Sequence, residues 1–91
     1  METKVLNYHI IIEPDKRTGT NEKCYSAFCP TLGISDSGDT IDEAITNLTK
    51  AIKVWVKSLT KDGEPVPVDH LEKTIITTTS IKAPLNIRLA I

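Results

Sequence analysis

Acidic side chains are the residues of this sequence whose positions could support chemistry. They are Glu13, Asp36, Asp39 and Asp42, which are expected on different strands and at a helix start. Carboxylates that converge from several elements can hold two divalent metal ions for the hydrolysis of RNA. Local roles explain the same positions, because such residues also suit a helix N-terminus, a turn or a strand end. We therefore predict no catalytic site and no enzyme activity.

The two cysteines and two histidines do not form the pattern of a metal site. Cys24 and Cys29 lie five residues apart in a predicted strand, so their side chains should point to opposite faces. His9 is expected inside the first strand and His70 in a turn, which places neither beside a nucleophile that it could activate. We predict buried, reduced thiols, with no metal and no cofactor.

Four lysines follow one ridge of the predicted helix. Lys50, Lys53, Lys57 and Lys61 are spaced by three, four and four residues. They could neutralise phosphates, but no arginine or aromatic side chain is interleaved with them. The formal net charge of the chain is -1, which gives no reason to expect a polyanion as the partner. We interpret the ridge as a solvated face and expect no direct DNA binding.

Three strands are predicted before the helix, at residues 5–13, 23–29 and 34–37. The first segment is aliphatic and β-branched, and we expect it at the centre of an antiparallel sheet and ended by Pro14. A polar loop with one glycine connects it to the second strand as a long-looped hairpin. Pro30 ends the second strand, and Gly33 permits the turn into the third.

A long amphipathic helix is the clearest local prediction. Thr40 and Glu43 form a capping box at its start, and it should end near Lys61 or Asp62, since Gly63 follows. Its roughly 21 residues would measure about 31 Å, which exceeds the width of a small sheet, so one end should overhang. The apolar stripe that packs on the sheet is predicted as Ile41, Ile45, Leu48, Ile52, Trp55 and Leu59.

Two further strands are predicted after the helix, at residues 74–81 and 85–91, and we expect no DNA-binding module after them. Residues 74–80 carry no charge, proline or glycine to protect an exposed edge. Such an edge would pair with a second copy or with another protein, whereas a central strand would need no outside partner. The candidate edge positions are Thr74, Ile76, Thr78 and Ser80.

Length and composition indicate one α+β domain over residues 1–91. Hydrophobic residues make up 40% of the chain but aromatic residues only 4%, so the core should be aliphatic. A compact chain of this length has a radius of gyration of about 12 Å. Small domains bury little surface alone, so we expect a homodimer or larger oligomer. The longest apolar run is Ile10–Ile12, which predicts no membrane segment and a cytoplasmic protein.

The order of the motifs resembles the HicB-like antitoxin family. A hairpin is followed by P-T-L-G-I-S-D-S-G-D-T-I-D-E-A at residues 30–44, then by an aliphatic helix and by D-G-E-P-V-P at residues 62–67. No single motif is diagnostic, but their order and spacing together are specific, and the similarity covers about residues 5–70. The resemblance implies a β-β-β-α-β partial ribonuclease-H-like sheet with one helix on one face, and a second terminal strand could follow.

The same resemblance implies a function and a partner. HicB-like proteins silence a HicA-like toxin, a small ribonuclease that cleaves messenger RNA, by occluding it. Because a ribonuclease is expected to be basic, acidic residues at the helix start become candidate docking residues beside their capping role. The alternative is a solitary homo-oligomer with a regulatory or structural role and no toxin. The docking candidates are Asp36, Asp39, Asp42 and Glu43.

Overall fold

The protein consists of a three-stranded antiparallel sheet with one long helix packed on one face. The computed structural model describes residues 3–70 and 73–90. The strands are hydrogen-bonded in the order β1-β2-β3, so the α+β class predicted from the sequence is confirmed. The elements are β1 (Ile11–Lys16), β2 (Lys23–Cys29), β3 (Ile34–Gly38) and α1 (Ile41–Lys61).

The first strand differs from its prediction in position and in extent. β1 lies at an edge of the sheet and β2 lies at the centre, so the prediction that the first strand is central is wrong. β1 also begins later than predicted and runs through Pro14, which pairs with Tyr25, to Lys16. An edge strand tolerates proline because one side of its backbone has no ladder to complete. Position at the edge therefore explains why Pro14 does not end the strand.

The helix begins and ends where the sequence predicts. Thr40 is its N-cap and accepts a hydrogen bond from the Glu43 backbone N–H at 3.0 Å. At the other end the Asp62 N–H donates to the Ser58 carbonyl oxygen, and Gly63 takes a φ of 69°, which closes the last turn. Local capping signals alone were sufficient to place both ends.

The core is small and lies where the first half of α1 crosses the sheet. Its fully buried residues are Ala27 and Cys29 on β2 and Ala44 and Leu48 on α1. The predicted apolar stripe is only partly buried: Ile41 is 46%, Ile45 37% and Trp55 45% exposed, so these three are wrongly predicted as packing residues. The partly buried residues around the core are Tyr8, Ile10, Ile12, Tyr25, Leu32, Ile34 and Ile52.

Both cysteines are buried and unbonded, as predicted. Cys29 lies in the core beneath α1, whereas Cys24 is an odd number of positions away on the same strand and lies on the opposite side of the sheet.

The segment after the helix does not form the predicted strands. Within the described residues, 73–90 contain no strand and are exposed throughout, so the predictions for 74–81 and for 85–90 are wrong; Ile91 lies outside the described residues. Strand propensity reflects the fit of a side chain to a half-buried pleated surface, and this segment meets no such surface in its own chain. We call residues 73–90 the exposed arm.

The exposed arm makes the molecule longer than a compact chain. The radius of gyration is 17.6 Å and the longest dimension is 61 Å, against the expected radius of about 12 Å. A tight turn bends the arm at residues 84–87, where the Ile87 N–H donates to the Pro84 carbonyl oxygen at 3.2 Å. No described helix combines the length and apolar character needed to cross a membrane.

Candidate functional site

The four predicted docking residues lie where β3 meets the start of α1. Asp36 is on β3, Asp39 follows it, and Asp42 and Glu43 are in the first helical turn. All four are exposed, and we call this group the acidic corner. The positive end of the helix dipole favours carboxylates at this position, and local hydrogen bonds fix the backbone that carries them. The Ser37 N–H, for example, donates to Asp36 Oδ1 at 2.8 Å.

A basic side chain of the same chain already pairs with the acidic corner. Arg17, from the loop between β1 and β2, pairs its guanidinium with Asp39 Oδ1 and approaches Glu22 Oε2 at 3.6 Å. Both partners of the Arg17–Asp39 pair are solvent-exposed, and such pairs contribute only about 0.2–1 kcal/mol to stability. Nothing local predicts this contact, because its partners lie 22 positions apart in the chain.

Of the four acids considered for metal chemistry, Glu13 lies apart from the three that belong to the acidic corner. Glu13 alternates with Ile12, which packs on the core, and therefore lies on the sheet face away from the helix. Asp36 has the same parity as Ile34 and lies on the helix side. Among the described residues, no group of three histidine, cysteine, aspartate or glutamate side chains is arranged to hold a metal ion.

A second polar cluster joins three distant parts of the chain around Asp69. Asp69 Oδ2 accepts from the His9 backbone N–H at 2.6 Å and lies 2.6 Å from His9 Nδ1. Asp69 Oδ1 accepts from the Thr31 hydroxyl group. Nearby, the Tyr8 hydroxyl donates to the Pro67 carbonyl oxygen at 2.6 Å. We call this group the Asp69 junction, and it connects the segment after α1 to the residues just before β1 and to the link between β2 and β3.

Hydrogen bonding holds the Asp69 carboxylate in its charged form. The side chain is 4% exposed, and the Thr31 hydroxyl, followed by the His9 backbone and ring, lowers the pKa of Asp69 to about 2 against the opposing effect of burial. Burial raises the pKa of Tyr8, and the nearby Cys29 and Asp69 act in the same direction. Several donors around one carboxylate are typical of a structural junction.

The Asp69 junction also resembles half of a catalytic dyad, in which a carboxylate orients an imidazole. In a nucleophile–base pair, however, the hydroxyl would donate to the imidazole. Here the Thr31 hydroxyl donates to Asp69 itself, so the hydroxyl is not activated by His9. Sequence analysis missed the junction because 60 residues separate His9 from Asp69 and nothing local marks their contact.

The Asp69 junction predicts how stability depends on pH. The folded-state pKa of Asp69 is about 2, below its ordinary value of 3.8, so this contribution to stability is present above pH 4 and is lost as the pH falls from about 4 to 2. We expect Asp69→Asn to lower the urea midpoint at pH 6 and to flatten its decline between pH 4 and pH 2. Urea titrations at several pH values measure both effects.

A matched control for this prediction is Glu64→Gln, which removes an exposed carboxylate beyond the helix. Its urea midpoint should follow that of the wild type across the whole range. An Asp69→Asn profile as steep as the wild-type profile would show that the junction does not carry the acid sensitivity.

The other predicted site residues lie on open surfaces. Lys50, Lys53, Lys57 and Lys61 are exposed along α1, consistent with a solvated ridge. The sheet face opposite the helix leaves Ile11 and Phe28 exposed, and we call it the open sheet face. It is lined by Ile11, Glu13, Asp15, Ser26, Phe28 and Ser35. The four candidate edge residues, Thr74, Ile76, Thr78 and Ser80, lie unpaired by any strand in the exposed arm.

These features define a small α+β protein in which polar groups cap the helix and connect the segment after α1 to the sheet. The chain belongs to the UPF0150 family: it is 39% identical over 69 residues to the UPF0150 protein ssr1765 of Synechocystis sp., a match that covers 75% of this chain and 81% of that protein. No protein-family model matches the chain. No solved structure matches it either.

Proposed function

We propose that this protein acts as an antitoxin of the HicB-like kind, which binds a small HicA-like ribonuclease in the cytoplasm and blocks its access to messenger RNA. The motif order at residues 30–44 and 62–67 supports this proposal, as does the succession of hairpin, third strand and long helix. On this proposal the sheet is a partial ribonuclease-H-like fold that binds and does not catalyse.

The observation that carries the proposal is the exposed acidic corner. A ribonuclease needs basic residues to bind RNA phosphates. A carboxylate surface competes with the phosphates for those residues. Within this chain Asp39 already pairs with Arg17, which illustrates that the corner attracts a cationic side chain. Asp36, Asp42 and Glu43 surround the same helix start and add to the negative potential.

The test is inhibition of a purified HicA-like ribonuclease by this protein, with Asp36→Asn/Asp42→Asn as the variant. Both side chains are exposed, and Thr40 keeps its capping hydrogen bond, so the helix should persist. We expect the double variant to bind at least tenfold more weakly, which corresponds to about 1.4 kcal/mol. RNA cleavage assays with increasing amounts of each protein measure the inhibition, and titration calorimetry measures the affinity.

A matched control is Asp62→Asn/Glu64→Gln, which removes two exposed carboxylates at the opposite end of α1. Its affinity should equal that of the wild type. If both double variants lost the same affinity, the cause would be the change in net charge and not the position of the carboxylates. Full inhibition by Asp36→Asn/Asp42→Asn would remove the acidic corner from the interface, and failure of the wild type to bind the ribonuclease would contradict the antitoxin proposal.

The exposed arm favours a second candidate, a homo-oligomeric regulatory or structural protein without a toxin partner. The arm carries apolar side chains that its own chain leaves in solvent, which is the condition for self-association. Co-expression with the product of the neighbouring reading frame separates the two candidates. Co-purification of a small basic protein supports the antitoxin, whereas recovery of the chain with itself alone supports the homo-oligomer.

A further inference from the structure

The exposed arm combines apolar side chains with charged side chains that are all positive. Five of its large side chains are at least 70% exposed: Ile75, Ile76, Ile81, Leu85 and Leu89. The arm also holds three of the 11 basic residues, Lys73, Lys82 and Arg88, and none of the 12 acidic residues. A segment of this kind is suited to a surface that is apolar at its centre and acidic around it.

The open sheet face has that complementary chemistry. Ile11 and Phe28 are paired across β1 and β2, and each is more than 40% exposed. Glu13 and Asp15 continue along the same face of β1, and no basic side chain lines this surface. The helix covers only the other face of the sheet, and Ile11 and Phe28 remain exposed on this face, whereas Cys24 near its hairpin end is buried.

The sheet edges are less suited to receive the arm than the face is. On β1, Pro14 has no N–H to donate to an added strand. On β3, the Ser37 N–H is engaged by Asp36 and the Ser37 carbonyl oxygen accepts from Asn47 Nδ2 at 2.8 Å. Each edge therefore has at least one backbone group that cannot pair with an added strand, whereas docking on the open sheet face needs no pairing with the sheet backbone.

We propose that the exposed arm of one copy docks on the open sheet face of a second copy, and that the exchange is reciprocal. Each copy carries one arm and one face, so two copies close a symmetric dimer and leave no unmatched surface. The arm is exposed along its whole described length, and the molecule measures 61 Å in its longest dimension, so the arm is accessible to a neighbour. The acidic corner lies outside this contact, so dimerisation does not depend on toxin binding.

The first test compares the oligomeric state of full-length variants by sedimentation velocity. We expect the wild type to be a dimer, and Phe28→Asp and Ile81→Asp each to be monomers. The control Val54→Asp adds the same charge at a 68% exposed apolar position on α1 and should remain a dimer. A monomeric wild type at 100 µM, or dimeric Phe28→Asp, would overturn the proposal.

The second test mixes the two monomeric variants, each with a tag of different mass. The Phe28→Asp copy keeps an intact arm and the Ile81→Asp copy keeps an intact face, so the mixture should form heterodimers detectable by native mass spectrometry. An arm that folds onto its own sheet, or that binds elsewhere, gives no heterodimer, and this result would overturn the exchange.

Charge reversal provides a variant that leaves the apolar packing of the sheet unchanged. Glu13→Lys/Asp15→Lys alters two exposed positions of β1 and should weaken the dimer at least tenfold. Adding Lys82→Glu/Arg88→Glu on the arm should restore the wild-type dimer affinity. If the second pair of substitutions weakens the dimer further, the arm and the face are not in contact.

Discussion

Leu48→Ala is expected to lower the melting temperature by roughly 10–30 °C. Leu48 is fully buried where α1 crosses β2 and β3, and its neighbours Ala27 and Ala44 are too small to fill the space that it would leave. Truncation of a buried leucine costs about 2–5 kcal/mol, from lost burial together with the cavity. Total stabilities of small domains are often only about 5 kcal/mol, so much of this protein's stability depends on one side chain. Circular dichroism melts and urea titrations measure the change.

Val54→Ala on the same helix is the matched control. Val54 is 68% exposed, and alanine is the better helix former, so the free energy of unfolding should change by no more than about 0.5 kcal/mol. A Leu48→Ala variant as stable as Val54→Ala would show that the first half of α1 is not packed on the sheet as described.

The helix was predictable from the sequence because its signals are local. The cap at Thr40, the glycine at position 63 and the spacing of Leu48 and Ile52 all lie within or beside the helix itself. The predicted apolar stripe was less accurate: Ile41, Ile45 and Trp55 have the helical spacing of core residues but remain exposed. Periodicity identifies the face that a helix could bury, whereas the extent of the opposing layer decides how much of that face is covered.

Strand position depends on contacts that the sequence pattern does not contain. The predictions of 23–29 and 34–37 match β2 and β3 closely, because Pro30 and Gly33 mark the connection between them. Central and edge strands differ in their neighbours, and nothing in residues 5–13 reveals that β1 has a neighbour on one side only. The arm fails as a strand prediction for the related reason that β-branched composition indicates suitability for pairing and does not supply a partner.

The candidate site also contains one part that was predictable from the sequence and two contacts that were not. The acidic corner was predictable, because its residues are close in sequence and share a helix start. The Arg17–Asp39 pair and the Asp69 junction were not, because each joins residues that come together only after the sheet has formed. Asp69 follows Pro67 in a segment that reads as an ordinary helix exit, and only its contacts with His9 and Thr31 show that it fastens the chain.

Gly38→Ala is the second substitution with a large expected effect. A Cβ atom at position 38 would lie 2.5 Å from the Ala44 backbone nitrogen and 2.7 Å from the Glu43 carbonyl carbon. These are backbone atoms of the first turns of α1, which cannot rotate away, so the helix would have to lift from β3. We expect a loss of about 1–3 kcal/mol in the free energy of unfolding, measured by urea titration. Because the helix start carries Asp42 and Glu43, the same shift should weaken binding through the acidic corner.

Gly63→Asn separates this steric effect from the general cost of replacing a glycine. A Cβ atom at Gly63 meets no atom within 4 Å, and its φ of 69° is a conformation that asparagine adopts readily, so stability should fall by no more than about 0.5 kcal/mol. If both variants lose the same stability, close approach of α1 to β3 is not the reason for glycine at position 38. If only Gly38→Ala is destabilised, the contact that sets the angle of the helix on the sheet also sets the position of the acidic corner.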